Sequence, residues 1–204
     1  MNSSFQELDF TIEKILSGQR GLLAADESFG TIGKRFAHAN IESTPETRRQ
    51  YRELLFSSPG IEQYISGIIL FDETIHQTMS DGSSIPEFLK KKNIVPGIKV
   101  DKGTIGLTNR PNEKITEGLD GLYQRCIEYK GLGAKFTKWR AVFTISSSTP
   151  SIFAVDTNSF LLSRFASICQ SAGLVPIVEP EVLMEGDHDI EACELATTAV
   201  LKSV

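Results

Sequence analysis

Apolar positions along the chain follow two patterns. One has helical spacing. After Ser4-Phe5-Gln6-Glu7, which resembles a capping box, Phe5, Leu8, Ile12, Ile15 and Leu16 recur on one stripe, and Gly18 ends it. The other is short and nearly continuous, as in strands covered on both faces, and predicts strands over 21–26, 67–71, 94–101, 134–145 and 174–179. Helices are expected between them. One runs over 29–39 with Asn40 as its stop. The next opens on Thr44-Pro45-Glu46, with Thr as N-cap and Pro in the first turn. Its Arg49, Arg52 and Glu53 are expected on the wet face, and Tyr51, Leu54 and Leu55 packed. A short helix runs from Pro86 into Lys90-Lys91-Lys92, cations that suit a helix C-terminus. The polar stretch 102–117 reads as a loop. A helix over 117–131 turns Leu119, Leu122, Cys126 and Tyr129 inward. Thr157 or Asn158 caps the next, and Gly173 closes it. The last runs from Asp187 to the end, with Ile190, Cys193, Leu195, Ala199 and Val200 partly buried. Strands alternating with helices predict an α/β protein with a parallel sheet. No composition break divides the chain, so 1–204 reads as a single domain.

The strand at 134–145 carries cations where an interior strand seldom has them. Side chains alternate along a strand, so Lys138 and Arg140 share a face and Trp139 takes the other. The same spacing pairs Lys99 with Asp101, and Glu179 with Glu181. Asp26 closes the first strand. Four strands thus bring ionisable groups to their C-terminal ends, where parallel α/β proteins keep their sites. Four acids against three bases suit a phosphorylated substrate and proton transfer: Lys and Arg would hold phosphate, and carboxylates would move protons. Structural ion pairing is the competing reading. Ser28 and Thr31 open a helix whose free N–H groups could take an anion, although Ser28 also fits as a plain N-cap.

Composition narrows the classes. The net charge of −5 disfavours a general nucleic-acid binder, and no apolar run reaches membrane-spanning length. The acidic start lacks the form of a signal peptide. Cys126, Cys169 and Cys193 are odd in number and widely spaced, which points to buried reduced thiols rather than a metal set or disulfides. His188, within Gly186-Asp187-His188-Asp189, reads as a loop or helix-start residue, and no metal is expected.

LLAADES at 22–28, GIKVDKG at 97–103, AKFTKWR at 134–140 and VPIVEPE at 175–181, with GLDGL at 118–122, SICQ at 167–170 and EGDHD at 185–189, together resemble class I fructose-bisphosphate aldolase. The resemblance runs almost end to end. It implies the (β/α)8 TIM-barrel fold, of which about five of eight βα units are present, an incomplete barrel. It implies reversible cleavage of fructose 1,6-bisphosphate into dihydroxyacetone phosphate and glyceraldehyde 3-phosphate through a lysine Schiff base, without metal or cofactor. It also implies a homotetramer for complete subunits and a cytoplasmic location, with a plastid as the alternative.

By motif, Asp26 resembles the acid that orients substrate hydroxyls and supports proton transfer. Lys138 resembles the lysine beside the imine. Glu179 resembles the general acid/base of carbinolamine formation and dehydration, and Glu181 its neighbour in the charge network. Lys99 and Arg140 resemble phosphate-binding cations, with Ser28 and Thr31 as hydroxyl donors and Asp101 in support. Phe29 and Thr31 depart from the family's smaller residues. The family's imine-forming lysine belongs to a sixth strand, past Val204. This chain alone is therefore expected to be inactive. The alternative is a non-catalytic half-barrel that binds a full-length subunit or another protein. A different phosphate-binding barrel enzyme is the third reading.

Overall fold

The computed structural model of the protein describes residues 3–204, with side chains from Gln6 onward. The capping box expected at Ser4 therefore lies outside the described residues. In chain order the elements are α1 (Ser3–Leu16), β1 (Gly21–Ala25), α2 (Phe29–His38), α3 (Pro45–Phe56), β2 (Ile65–Leu70), α4 (Asp72–Ile75), α5 (Ile85–Lys91), β3 (Val95–Lys99), β4 (Thr104–Gly106), β5 (Lys114–Thr116), α6 (Leu122–Gly131), β6 (Phe136–Phe143), α7 (Ile152–Ser171), β7 (Val175–Val182) and α8 (Ile190–Ser203). Five strands form one all-parallel sheet in the order β1-β2-β3-β6-β7, leaving β1 and β7 as its edges. This is an α/β half-barrel.

The two faces of the sheet have different covers. Trp139, Phe143, Leu70 and Ile98 point outward, and with Phe165, Leu162 and Cys169 of α7, Cys126 of α6 and Leu89 of α5 they form the main core. Trp139 packs on Phe165 with ring centroids 5.4 Å apart. Cys126 and Cys169 are buried free thiols, and Cys193 is half-buried. The inner face is apolar only near the start of its strands. There Ile69, Val95, Phe136 and Val175 pack against Leu8 and Ile15 of α1, which closes that end. Toward the strand ends the same face becomes charged.

Glycine makes the apolar layer possible. The Phe136 ring lies across β3 and reaches β2. A Cβ added at Gly97 would sit 2.2 Å from that ring, and one at Gly67 would sit 2.8 Å from Leu22 and 3.1 Å from the ring. Gly97→Ala is therefore expected to lose about 1–3 kcal/mol through forced displacement of Phe136. A urea midpoint unchanged from the parent, with the same slope, would contradict that reason.

The strand and helix cores lie where the apolar pattern puts them, but several details differ. The stretch 102–117 is not wholly loop, because β4 and β5 pair there as an antiparallel hairpin. The helix expected from 117 starts at Leu122. Ser151, rather than Thr157 or Asn158, caps α7, accepting the Ala154 N–H. Asn158 is buried inside the helix, donating to the Lys114 and Ala154 carbonyls at 3.0 Å each. On α3, Arg52 is fully buried instead of wet, and Leu54 is 69% exposed instead of packed. On α8, which packs on β7 and α7, Val200 is buried, but Ile190, Leu195 and Ala199 are exposed. No described helix is long and apolar enough to cross a membrane.

Candidate active site

Parallel pairing brings residues of like orientation into rows. Lys99 of β3 stands opposite Lys138 of β6, and Arg140 of β6 stands opposite Glu179 of β7. Asp26 follows the last residue of β1 directly. Above the Phe136 layer the inner face therefore carries Asp26, Lys99, Lys138, Arg140, Glu179 and Glu181.

Each cation has an anion. Lys138 Nζ lies between two carboxylates, 3.3 Å from Asp26 Oδ2 and 2.9 Å from Glu179 Oε2. Asp26 and Lys138 are buried, whereas Glu179 reaches solvent. Burial pulls the Lys138 pKa down, but the Asp26 and Glu179 charges outweigh it and leave it above the usual lysine value. This amine is an ammonium at neutral pH. Lys99 Nζ donates to Asp101 at 2.5 Å on Oδ1 and 3.2 Å on the backbone carbonyl. Asp101 also accepts the Gly103 N–H at 3.0 Å and the Arg140 N–H at 3.3 Å. The Arg140 guanidinium pairs with Glu181, which outweighs burial and holds its pKa above the arginine value.

Ser28 and Thr31 stand apart from this cluster, at the exposed start of α2. Ser28 Oγ accepts the Thr31 N–H at 3.4 Å and lies 3.2 Å from its hydroxyl, as an N-cap does. A cavity of about 520 Å³ nonetheless brings Ser28 to Lys99, Asp101 and Lys102. His188 immediately precedes Asp189, the N-cap of α8.

Three donors behind the site, Arg52 and Thr116 buried and Arg125 half-buried, give no signal in the sequence. Arg52 donates to the Ala25 carbonyl at 3.1 Å and the Glu27 carbonyl at 2.9 Å. Arg125 donates to the Val100 carbonyl at 2.9 Å and the Gly118 carbonyl at 2.5 Å. The Thr116 hydroxyl donates to the Arg140 carbonyl at 2.7 Å. A hairpin residue and two helix residues thus hold the backbone from which the charged groups project. Two arginines bound to carbonyls leave no periodic signal in sequence.

An all-parallel sheet with acids and bases gathered at its C-terminal strand ends defines a protein of the α/β-barrel class. The comparisons with known proteins are specific within that class. The model of the family "Fructose-bisphosphate aldolase class-I" matches residues 7–204. A probable fructose-bisphosphate aldolase class 1 of Xanthomonas campestris is 50% identical over 201 residues, covering 98% of this chain and 60% of that protein. A cytosolic fructose-bisphosphate aldolase of Arabidopsis thaliana is 53% identical over 182 residues, or 89% of this chain and 46% of the relative. A Plasmodium falciparum fructose-bisphosphate aldolase, solved with TRAP and a small-molecule inhibitor, superposes with a TM-score of 0.97 at 45% identity, covering 100% of this chain and 59% of the solved one. The chain belongs to the class I fructose-bisphosphate aldolase family, and it spans about 60% of the length of the bacterial relatives it matches.

Proposed function

We propose that this chain carries the acid/base half and one phosphate grip of a site that cleaves fructose 1,6-bisphosphate through a lysine Schiff base. The observation that carries the reading is Lys138 held between Asp26 and Glu179 at the mouth of the half-barrel. Asp26 would orient the hydroxyls at the reacting carbons and take their proton. Lys138, an ammonium, would stabilise negative charge as it develops. Glu179, the more exposed carboxyl, would deliver and accept the proton as carbinolamine forms and water leaves, with Glu181 tuning it through Arg140. Lys99 and Arg140 would hold phosphate. Both are already paired to carboxylates, so an incoming phosphate must draw each cation from its partner or share it. The imine-forming lysine of the family lies on a sixth strand that these five do not include. The relatives extend beyond the stretch they share with this chain, and we place the complete site in a subunit of their length, a homotetramer in the cytoplasm, needing no metal or cofactor.

Trace acetylation tests the binding half. Fructose 1,6-bisphosphate is expected to slow acetylation of Lys99 and Lys138 several-fold while leaving the exposed Lys202 unchanged. Equal rates with and without millimolar ligand would remove the reading. Dihydroxyacetone phosphate with borohydride tests the missing half: the intact mass of this chain is expected to stay unmodified. A single reduced adduct would show that a lysine present here, Lys138 first, forms the imine. The second reading, a non-catalytic half-barrel that associates with another chain, is favoured by the two open strand edges and by exposed Leu195 and Leu201. A chain that co-purifies with a full aldolase subunit and shows no ligand protection would support it.

A further inference from the structure

We infer that Arg52 is a positioning residue of this site, holding Asp26 against Lys138 by clamping the peptide units on both sides of it. The inference rests on the aldolase reading of the site. Asp26 lies past the end of β1, where strand pairing no longer fixes the backbone. The Arg52 guanidinium supplies the missing constraint. Its Nε holds the carbonyl of Ala25 and its Nη2 the carbonyl of Glu27, so the residue between them is fixed from either side. The side chain is fully buried, and its Cζ lies 5.9 Å from the Phe71 ring centroid.

Arg52 is itself fixed. Thr44 caps α3 with a reciprocal capping box through Thr47. One turn before Arg52, Arg48 makes a bidentate pair with Glu73 at 2.7 and 2.6 Å, tying α3 to α4. A planar fork on a pinned helix is the kind of support that precise site geometry requires.

Stability alone does not account for the residue. Burial pushes the Arg52 pKa down, with the Glu27 charge opposing. Among the described residues its one close anion is Glu27, at 3.6 Å. Buried charge of this kind seldom stabilises more than an apolar side chain of similar volume would. An apolar side chain, however, cannot bridge two carbonyls. The same device recurs at the neighbouring acid: Arg125 of α6 grips the Val100 carbonyl, immediately before Asp101.

Acetylation of Lys138 by trace acetic anhydride at pH 8.5 reads the position of Asp26, because only the free amine reacts. Lys99, which depends on Asp101, is the internal reference. Asp26→Asn is expected to raise the Lys138 to Lys99 rate ratio about tenfold, the effect of losing one close anion. Arg52→Lys keeps the charge but cannot span both carbonyls, and is expected to raise the ratio at least about threefold. Combined with Asp26→Asn it is expected to add nothing further. A purely structural Arg52 would raise both lysines together and leave the ratio unchanged. An unchanged ratio in Arg52→Lys, with Asp26→Asn responding, overturns the inference alone. An unchanged ratio in Asp26→Asn overturns the site reading and the inference with it. Arg52→Gln, with the same expectation, is the second variant. Loss of a cooperative melt in both Arg52 variants also overturns the proposal, because the residue then holds the fold rather than the acid.

Discussion

Trp139→Ala is expected to leave a chain without a cooperative native state at room temperature. Trp139 is the largest fully buried side chain of β6, set on Phe165 of α7 at the centre of the main core. Removing it opens a cavity that neighbouring strands cannot collapse to fill, because β3 and β7 are hydrogen-bonded on either side. Large aromatic truncations in cores lose about 3–5 kcal/mol. Domains hold only about 5–15 kcal/mol in total. A sheet with two open edges belongs at the low end of that range. Trp139→Phe keeps most of the apolar volume. It also removes an indole N–H that has no acceptor among the described residues, so it is expected to lose far less. Urea unfolding followed by circular dichroism separates the two. A cooperative transition for Trp139→Ala near the parent midpoint would refute the placement of this residue at the centre of the core.

Lys138→Met is the second large effect, and its size depends on pH. The substitution keeps the stem and removes the ammonium, so Asp26 and Glu179 face each other without a cation. Breaking a buried pair on one side loses about 3–5 kcal/mol. Glu179 is 36% exposed and can turn to water, so about 2 kcal/mol at neutral pH is the expected loss. In the parent the folded-state pKa of Lys138 lies above its unfolded value near 10.5. Its contribution is therefore complete below that pH and falls away as pH rises through the folded pKa. The parent is expected to lose this stability above pH 10.5, while the variant, having no such group, lacks that component. Parallel pH–stability curves at the alkaline end would mean that Lys138 is not held by its two acids.

Much of this was readable in the amino-acid order. Nearly continuous apolar runs marked all five strands of the sheet, and side-chain alternation placed Lys138 and Arg140 together with Trp139 opposite. Glu179 and Glu181 were placed on one face by the same rule. The errors have physical causes. The hairpin at 104–116 was missed because its strands are three residues long and its composition is that of a turn. The start of α7 was misplaced because Ile152 is 81% exposed and gives no inward apolar signal. Periodicity put Arg52 on the wet face because the pattern assumes charged groups seek water. Its acceptors are carbonyls about twenty-five residues away in the chain, and every residue has a carbonyl. Ser28 illustrates the opposite limit. Its capping role follows from local order, whereas its approach to Lys99 depends on how β1 and β3 are spaced by the strand between them.

The arginine grips have a consequence for how this scaffold can be altered. They hold peptide oxygens, which do not depend on the side chain attached. The residue at 26 can therefore be exchanged without removing what anchors its backbone, in the way a socket accepts different tools, whereas Asp101 also ties the Gly103 and Arg140 N–H groups with its own carboxylate. Arg52 sits on a helix whose own register is set elsewhere, by the Thr44 cap and the Arg48–Glu73 pair. Chemistry and mounting are thus separable parts of this molecule, and a designer can change one while leaving the other alone.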